Sequence, residues 1–289
     1  MSDANRKGSG PRAVVIGHPI SHSRSPLIHN YWLREAGLPG IYETADVLPE
    51  DLGEFVAAMP QAGIIGANLT VPHKELVLPI ADEIDETARL IGASNLLWFD
   101  GAGRVCVGNA DWSGFLANLD DKAPGWDENL EIVTILGAGG ASRALIHGLK
   151  SRTGATIHLA NRTLQRAEQL AAEFGPQAKP LAQSDLAQVL ARTSLLINAT
   201  SIGMHEERHQ GLDLSLLPQN AIVTDIVYTP LETPLLADAR KAGLRAIDGL
   251  GMLLHQAVPG FERWFRIRPE VDADLRQLIE ADLFGGEKS

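Results

Sequence analysis

Two short stretches carry residue types and spacings suited to holding a phosphorylated cofactor. ILGAGGASRA, residues 135–144, follows an apolar run and opens a stretch of helical periodicity. A glycine turn in that setting brings backbone N–H groups and the positive end of a helix to a pyrophosphate. Gly137 permits the tight turn and Gly139 the close approach of a diphosphate; Ala138, Gly140 and Ala141 belong to the same candidate cofactor-binding turn. Ser142 stands where G-x-G-x-x-G has its third glycine, and a ligand-free glycine turn is the plain alternative. The next apolar run, ATIHLANRT, ends in Asn161, Arg162 and Thr163. The carboxylate usual at that point accepts hydrogen bonds from the ribose 2′-hydroxyl of NAD and would repel the 2′-phosphate of NADP. Asn161 removes the repulsion, Arg162 offers paired donors to a phosphate, and Arg166 is predicted on the same helical face. These residues predict NADP(H), against the alternative of two solvated arginines. Use of NAD as well stays open, because Arg162 tolerates a missing phosphate.

Three stretches of the first half present polar groups too orderly for plain loops. In GHPISHSRSPLIHN, Ser21 and Ser23 occupy alternate positions, so an extended backbone would turn both hydroxyls one way. GANLTVPHKE puts Lys74 in the first turn after Pro72, and VGNADWSGF puts Asp111 beside Asn109.

The elements that must position these groups alternate along the chain. RAVVIGHPI reads as a strand, and SPLIHNYWLREAGL as a helix with Ser25 as N-cap and Pro26 at the first helical position. GIYETADV is a strand, LPEDLGEFVAAMPQAG a helix and IIGANLTV a strand; PHKELVLPIADEIDETARLIG keeps helical spacing, interrupted at Pro79. A second series begins near Asp111. There LEIVTILGAGG, ATIHLANRT, SLLINATSIGM and AIVTDIVYTP read as strands, and ASRALIHGLKSRTG and LQRAEQLAAEFG as helices. From Gly249 onward the strand signals stop and two helices follow. The pattern predicts two α/β domains, the second a Rossmann-type doubly wound parallel sheet.

The 289 residues suffice for two ordinary domains, and the hydrophobic (45%) and charged (21%) shares are those of a globular protein. A net charge of -11 argues against a nucleic-acid partner and gives no attraction to an anionic membrane, while leaving room for a locally positive pocket. Cys106 is the only cysteine, so no internal disulfide forms, which fits a reducing cytoplasm. The polar opening residues lack the apolar core of a signal peptide, and no apolar run reaches the length of a membrane span.

With HPISHSRSPLIHN, ANLTVPHKE, GAGGASRA, NRT, NATSIGM and DGLGMLLHQA in this order and spacing, the chain resembles the shikimate dehydrogenase family over nearly its whole length. The resemblance implies two domains around a cleft: a substrate-binding catalytic domain at 11–112 completed by C-terminal helices at 252–285, and an NADP-binding Rossmann domain at 113–251, with 1–10 a flexible tail. It implies NADP-linked interconversion of 3-dehydroshikimate and shikimate by a monomer or homodimer, with a cyclic hydroxy acid as the small-molecule substrate. Ser21 and Ser23 would hold the substrate carboxylate, and Thr70, Asn95 and Gln256 would surround the ring hydroxyls. Tyr228 would line the cleft, and Lys74 and Asp111 would be the catalytic pair. Thr163, Thr200, Ser201, Ile226, Gly249 and Met252 would join the cofactor-binding residues. Elementary chemistry supports the pair in part, since hydride transfer to or from a carbon must be matched by a proton moving on its oxygen. A helix N-terminus would lower the pKa of Lys74 and Asp111 would raise it; an ordinary surface lysine is the alternative. Three positions depart from the family pattern, Ser94 in place of the valine of Val-Asn-Thr among them. Ala110 replaces a threonine in Asn-Thr-Asp, and Leu96 replaces one in Val-Asn-Thr, so quinate or aminoshikimate stay open as preferred substrates.

HEERH, residues 205–209, satisfies H-E-x-x-H literally, but a zinc site needs that motif on a helix, and this segment is polar throughout and bounded by Gly203 and Gly211. It reads as an exposed loop, and no metal is expected. His22, His29 and His73 read as structural, and Trp32, Trp98 and Trp264 as core. The rival from another class is a non-catalytic NADP-binding regulatory module, which would have no need of Lys74, Asp111, both serines and Gln256.

Overall fold

The computed structural model describes residues 10–286, so the expected tail at 1–10 lies outside the described residues but for Gly10. The chain forms two compact units. One comprises residues up to Ala110 with Gln256–Ile279, the other Asp111–His255 with residues from Glu280 on.

In the first unit, β1 (Arg12–Gly17) is a β-branched run buried at its last five positions, as a strand covered on both faces requires. Helix α1 (Ser25–Glu35) has Pro26 at its start, but its N-cap is Arg24, not Ser25. Ser25 is already helical, and the Ser23 hydroxyl accepts its N–H at 3.3 Å. There follow β2 (Ile41–Asp46), α2 (Leu52–Ala58) and β3 (Ile64–Leu69). The helical spacing after Pro72 resolves into separate pieces: α3 (His73–Leu76), a 3-10 turn at Leu78–Ile80, β4 (Glu83–Ile84) and α4 (Glu86–Ile91). Pro79 removes a donor the long helix would need. Asp85 instead starts α4, its carboxylate accepting the Ala88 N–H at 2.6 Å, and Gly92 ends it at φ 73°. Strands β5 (Leu96–Phe99) and β6 (Val105–Gly108) form an antiparallel hairpin that the alternating pattern did not reveal. The sheet runs β2-β1-β3-β5-β6-β4 and is mixed: β3–β5 and β5–β6 are antiparallel, the other pairs parallel. Val14, Ile16, Val56, Leu69, Leu97 and Val107 share its core.

The second unit contains α5 (Asp111–Lys122), β7 (Ile132–Leu136), α6 (Gly140–Arg152), β8 (Thr156–Ala160), α7 (Leu164–Phe174) and β9 (Ala178–Leu181). Next come α8 (Leu186–Leu190), β10 (Leu195–Asn198), β11 (Ile222–Asp225), α9 (Pro234–Lys241) and β12 (Arg245–Ile247). Its sheet, β12-β11-β10-β7-β8-β9, is parallel at every pairing. The order reverses between β7 and β10, the hallmark of a doubly wound sheet, and apolar clusters cover both faces. Helices α10 (Leu250–Phe265) and α11 (Ala273–Gly286) close the chain, and Gln256–Ile279 belongs to the first unit.

Within that unit, Trp264 of α10 donates its indole N–H to the Leu97 carbonyl at 3.1 Å. Gly66 on β3 makes room for it, because a Cβ there would lie 2.0 Å from Trp264 Nε1. His29 is fully buried, its ring stacked on Tyr42 with centroids 4.0 Å apart, and burial pushes its pKa down to about 3. Among the described residues no helix is long and apolar enough to cross a membrane.

Candidate active site

The first unit gathers its candidate residues at one rim of the sheet. β1 and β3 are parallel; β6, antiparallel to β5, ends at the same rim. Open α/β sheets bind ligands at that carboxyl end. Thr70 follows β3 directly and donates its N–H to the Ile16 carbonyl of β1 at 3.0 Å. Lys74 is half-buried in the single turn of α3, and its carbonyl accepts the Ser94 N–H at 2.7 Å. A four-residue helix has too few aligned peptides to carry the full dipole that the sequence reading assigned to its N-terminus.

Asn95, just before β5, is 2% exposed. Its Oδ1 accepts the Ala110 N–H at 2.7 Å, and its Nδ2 donates to Gln256 Oε1 at 3.0 Å. A backbone N–H can only donate, so it orients the Asn95 amide, which in turn orients that of Gln256. Below this pair, Asn68 Nδ2 donates to the Asn95 carbonyl (3.1 Å), and Tyr42 donates its hydroxyl to Asn68 Oδ1 (2.6 Å). Neither Asn68 nor Tyr42 stands out in the sequence as a site residue; the one signal is an asparagine inside the apolar strand IIGANL.

Ser21 and Ser23 are not on extended backbone. Ser23 donates its N–H to the Ile20 carbonyl at 3.0 Å, closing a turn, so the alternation argument does not hold. The segment is tied to the rim by the His18 N–H donating to the Val71 carbonyl at 3.1 Å. Leu96 packs against α10, its Cδ1 3.2 Å from where a Cβ at Gly260 would stand, so this departure from the family pattern belongs to the core. His73, 0% exposed, pairs its Nε2 with the Val47 carbonyl at 2.8 Å, the structural role read from the sequence. Trp32 and Trp264 are buried, while Trp98 is half-buried with the Arg263 guanidinium 3.9 Å over its ring.

In the second unit, Gly137 sits at φ 113°, a conformation that favours glycine, and a Cβ there would press within 3.0 Å of the Ala199 carbonyl. Gly139 is the N-cap of α6, with no side-chain cap, and Cβ atoms at Gly139 and Gly140 would meet nothing within 4 Å. The backbone at the helix N-terminus is therefore open on the side where a diphosphate would lie. Ser142, the departure from the glycine pattern, is 0% exposed and donates its hydroxyl to the Gly137 carbonyl at 3.1 Å, closing the turn from within.

After β8, Asn161 Nδ2 donates to the Thr163 carbonyl at 2.9 Å, and Thr163 is the N-cap of α7. Arg162 precedes that helix, so the i, i+4 rule does not relate it to Arg166; both nonetheless stand at the N-terminal end of α7. Both are exposed, and among the described residues neither guanidinium is paired with a carboxylate. Gly249 lies against backbone, where a Cβ would be 2.5 Å from the Ile226 carbonyl, and Met252 packs on the adjoining core. Thr200 and Ser201 follow β10, Ile226 and Tyr228 follow β11, and Asp111 opens α5, half-buried.

The HEERH segment is turn and coil, with Glu206 at φ 63°, so the helical face a zinc motif requires does not form. Glu83, Asp100 and Cys106 cluster elsewhere, but Arg104 bridges the two carboxylates at 3.2 and 2.7 Å.

A doubly wound parallel sheet with an open-backed glycine turn at its switch point, joined to a mixed α/β unit, defines a dinucleotide-binding protein of the two-domain α/β class. Residues 15–97 match the family model of the shikimate dehydrogenase substrate binding domain, and residues 124–214 that of shikimate / quinate 5-dehydrogenase. The chain is 52% identical over 272 residues to the shikimate dehydrogenase (NADP(+)) of Mesorhizobium japonicum, covering 94% of this chain and 96% of that protein. Among solved structures it is similar to shikimate 5-dehydrogenase of Thermus thermophilus in complex with NADP(H) and shikimate (34% identity, TM-score 0.83, 94% of this chain and 99% of that one). It is also similar to quinate dehydrogenase of Corynebacterium glutamicum in complex with NAD (30% identity, TM-score 0.85, 94% and 99%). The chain belongs to the shikimate dehydrogenase family.

Proposed function

We propose that this protein is an NADP-dependent oxidoreductase that interconverts 3-dehydroshikimate and shikimate, the first unit binding the acid and the second the cofactor. One observation carries the cofactor side: an open glycine turn at the switch point, with two guanidiniums after the neighbouring strand β8 that have no carboxylate partner among the described residues. Gly137, Gly139 and Gly140 with the N-terminus of α6 would hold the diphosphate, and Arg162 and Arg166 the 2′-phosphate. Bound NADPH supplies the hydride. Lys74 and Asp111 handle the proton on the reacting oxygen, a contribution of typically about 10²–10⁴-fold for a positioned acid–base group. Ser21 and Ser23 take the carboxylate, and Thr70, Asn95 and Gln256 the ring hydroxyls. The oriented Asn95–Gln256 amides support a fixed reading of hydroxyl positions.

A second reading, quinate or aminoshikimate as the preferred acid, is favoured by Ala110, which is buried and offers no hydroxyl where the family pattern reads threonine. Following NADPH absorbance with shikimate, quinate and aminoshikimate, each against NADP and NAD, tests both readings. Highest kcat/KM for shikimate with NADP is the expected result. A preference for quinate or aminoshikimate selects the second reading, and saturable NADPH binding without turnover of any acid would overturn both in favour of a regulatory module.

A further inference from the structure

Asp225, the last residue of β11, is fully buried, and its two oxygens meet donors from three separate segments. Oδ1 accepts from Asn198 Nδ2 and from the Val227 N–H, both at 2.9 Å; Oδ2 accepts from the Thr233 hydroxyl at 2.8 Å. Asn198, the last residue of β10, is equally buried and uses its whole amide. Nδ2 also donates to the Ile202 carbonyl (3.0 Å), while Oδ1 accepts from the Thr200 N–H (3.0 Å) and hydroxyl (2.7 Å). Thr233 caps α9, its hydroxyl oxygen also accepting the Leu236 N–H. One carboxylate thus ties together the loop after β10, the loop after β11 and the start of a helix. Among the described residues three donors and no acceptor face it, the environment an ionised carboxylate satisfies. Burial pushes its pKa up, so the donors are needed to keep the charge.

The two tied loops lie on the far side of the switch point from β8. The end of β8 carries Asn161 and Arg162, the groups suited to the adenosine 2′-phosphate, and a dinucleotide spans the switch point. The ends of β10 and β11 are left for the nicotinamide half. We infer that Asp225, acting through Asn198 and Thr233, is a positioning residue that holds the nicotinamide-side loops of the cofactor site. The inference rests on the second unit binding NADP; it does not require that the substrate be shikimate.

The test uses the full-length protein and two probes, NADPH and adenosine 2′,5′-bisphosphate, which carries only the adenine half. Thr233→Val keeps the side-chain shape and removes the donor to Asp225; Thr233→Ser restores it. Thr233→Val is expected to weaken NADPH binding roughly tenfold and to lower kcat, while bisphosphate affinity stays within about twofold. Thr233→Ser is expected to return to wild-type values, and Asp225→Asn, where it folds, to match Thr233→Val. Unchanged NADPH affinity in Thr233→Val, or a parallel loss of bisphosphate affinity, would overturn the inference, the latter because general loosening spares neither half. Wild-type protein that binds NADPH but turns over no acid refutes the proposed activity and leaves this comparison readable. Wild-type protein that binds neither probe overturns both.

Discussion

His29 should make the first unit acid-sensitive in a way that can be calculated. Its imidazole is fully buried against Tyr42, and burial lowers its pKa from 6.5 to about 3. The folded protein therefore keeps the ring neutral at a pH where the unfolded chain protonates it. Stability is undiminished above pH 6.5 and falls as pH drops from there toward 3, by about 1.4 kcal/mol per unit. Between pH 7.5 and pH 5 the loss from this one group is about 2 kcal/mol. His158, His209 and His255 are also pushed down by burial, so the wild-type slope alone does not isolate it. Denaturant unfolding of wild type, His29→Phe and His29→Leu at both pH values does. Each variant carries a pH-independent packing cost, but its acid-side loss should be smaller than wild type by about 2 kcal/mol. Variants that lose as much stability as wild type between the two pH values would refute the reasoning.

Three further outcomes are expected. Arg162→Ser should raise KM for NADPH by roughly tenfold or more while changing KM for NADH little, since a charge-assisted phosphate contact contributes about 1.5–3 kcal/mol; equal effects on both cofactors would remove Arg162 from the phosphate site. Lys74→Met should cut kcat by about 10²–10⁴-fold with an unchanged circular dichroism spectrum, and near-wild-type turnover would rule out its proton-handling role. Gly66→Ala should destabilise by about 1–3 kcal/mol in denaturant unfolding, because its Cβ would overlap Trp264; a neutral result would mean that the indole shifts freely.

The second unit was the more legible in sequence, for a physical reason. A parallel strand buried on both faces must be a continuous apolar run, and IVTIL, LLIN and IVTD announce themselves as such. The short edge strands AKPL and RAI bury less, carry polar residues and pass for loop. In the first unit the β5–β6 hairpin hid because alternation of strand and helix suggests crossovers, although Asp100 and Gly103 mark its turn. The glycine turn and the NRT segment were legible because backbone conformation and charge are local properties. Asn68, Asn198 and Asp225 were not, since a buried polar residue shows its purpose only through partners 27 or so positions away. Ser21 and Ser23 were misplaced for a related reason: alternation requires extended backbone, and one hydrogen bond, from the Ser23 N–H to the Ile20 carbonyl, makes a turn there instead.

The β5–β6 hairpin also separates what must be conserved in shape from what is free to vary. Its two open ends, Asn95 and Asn109–Ala110, stand at the rim of the candidate site, while its turn at residues 100–104 lies about 13 Å away along four residues of strand. That turn is exposed at Gly101, Ala102 and Gly103 and closed by the Asp100 side chain accepting the Ala102 and Arg104 N–H groups, together with backbone bonds from Asp100 to Arg104 and from Gly103 to Asp100. Extra residues inserted at its tip would lengthen a loop without moving either rim residue. A fluorophore or affinity handle belongs there, at the exposed tip opposite the rim that carries Asn95 and Ala110.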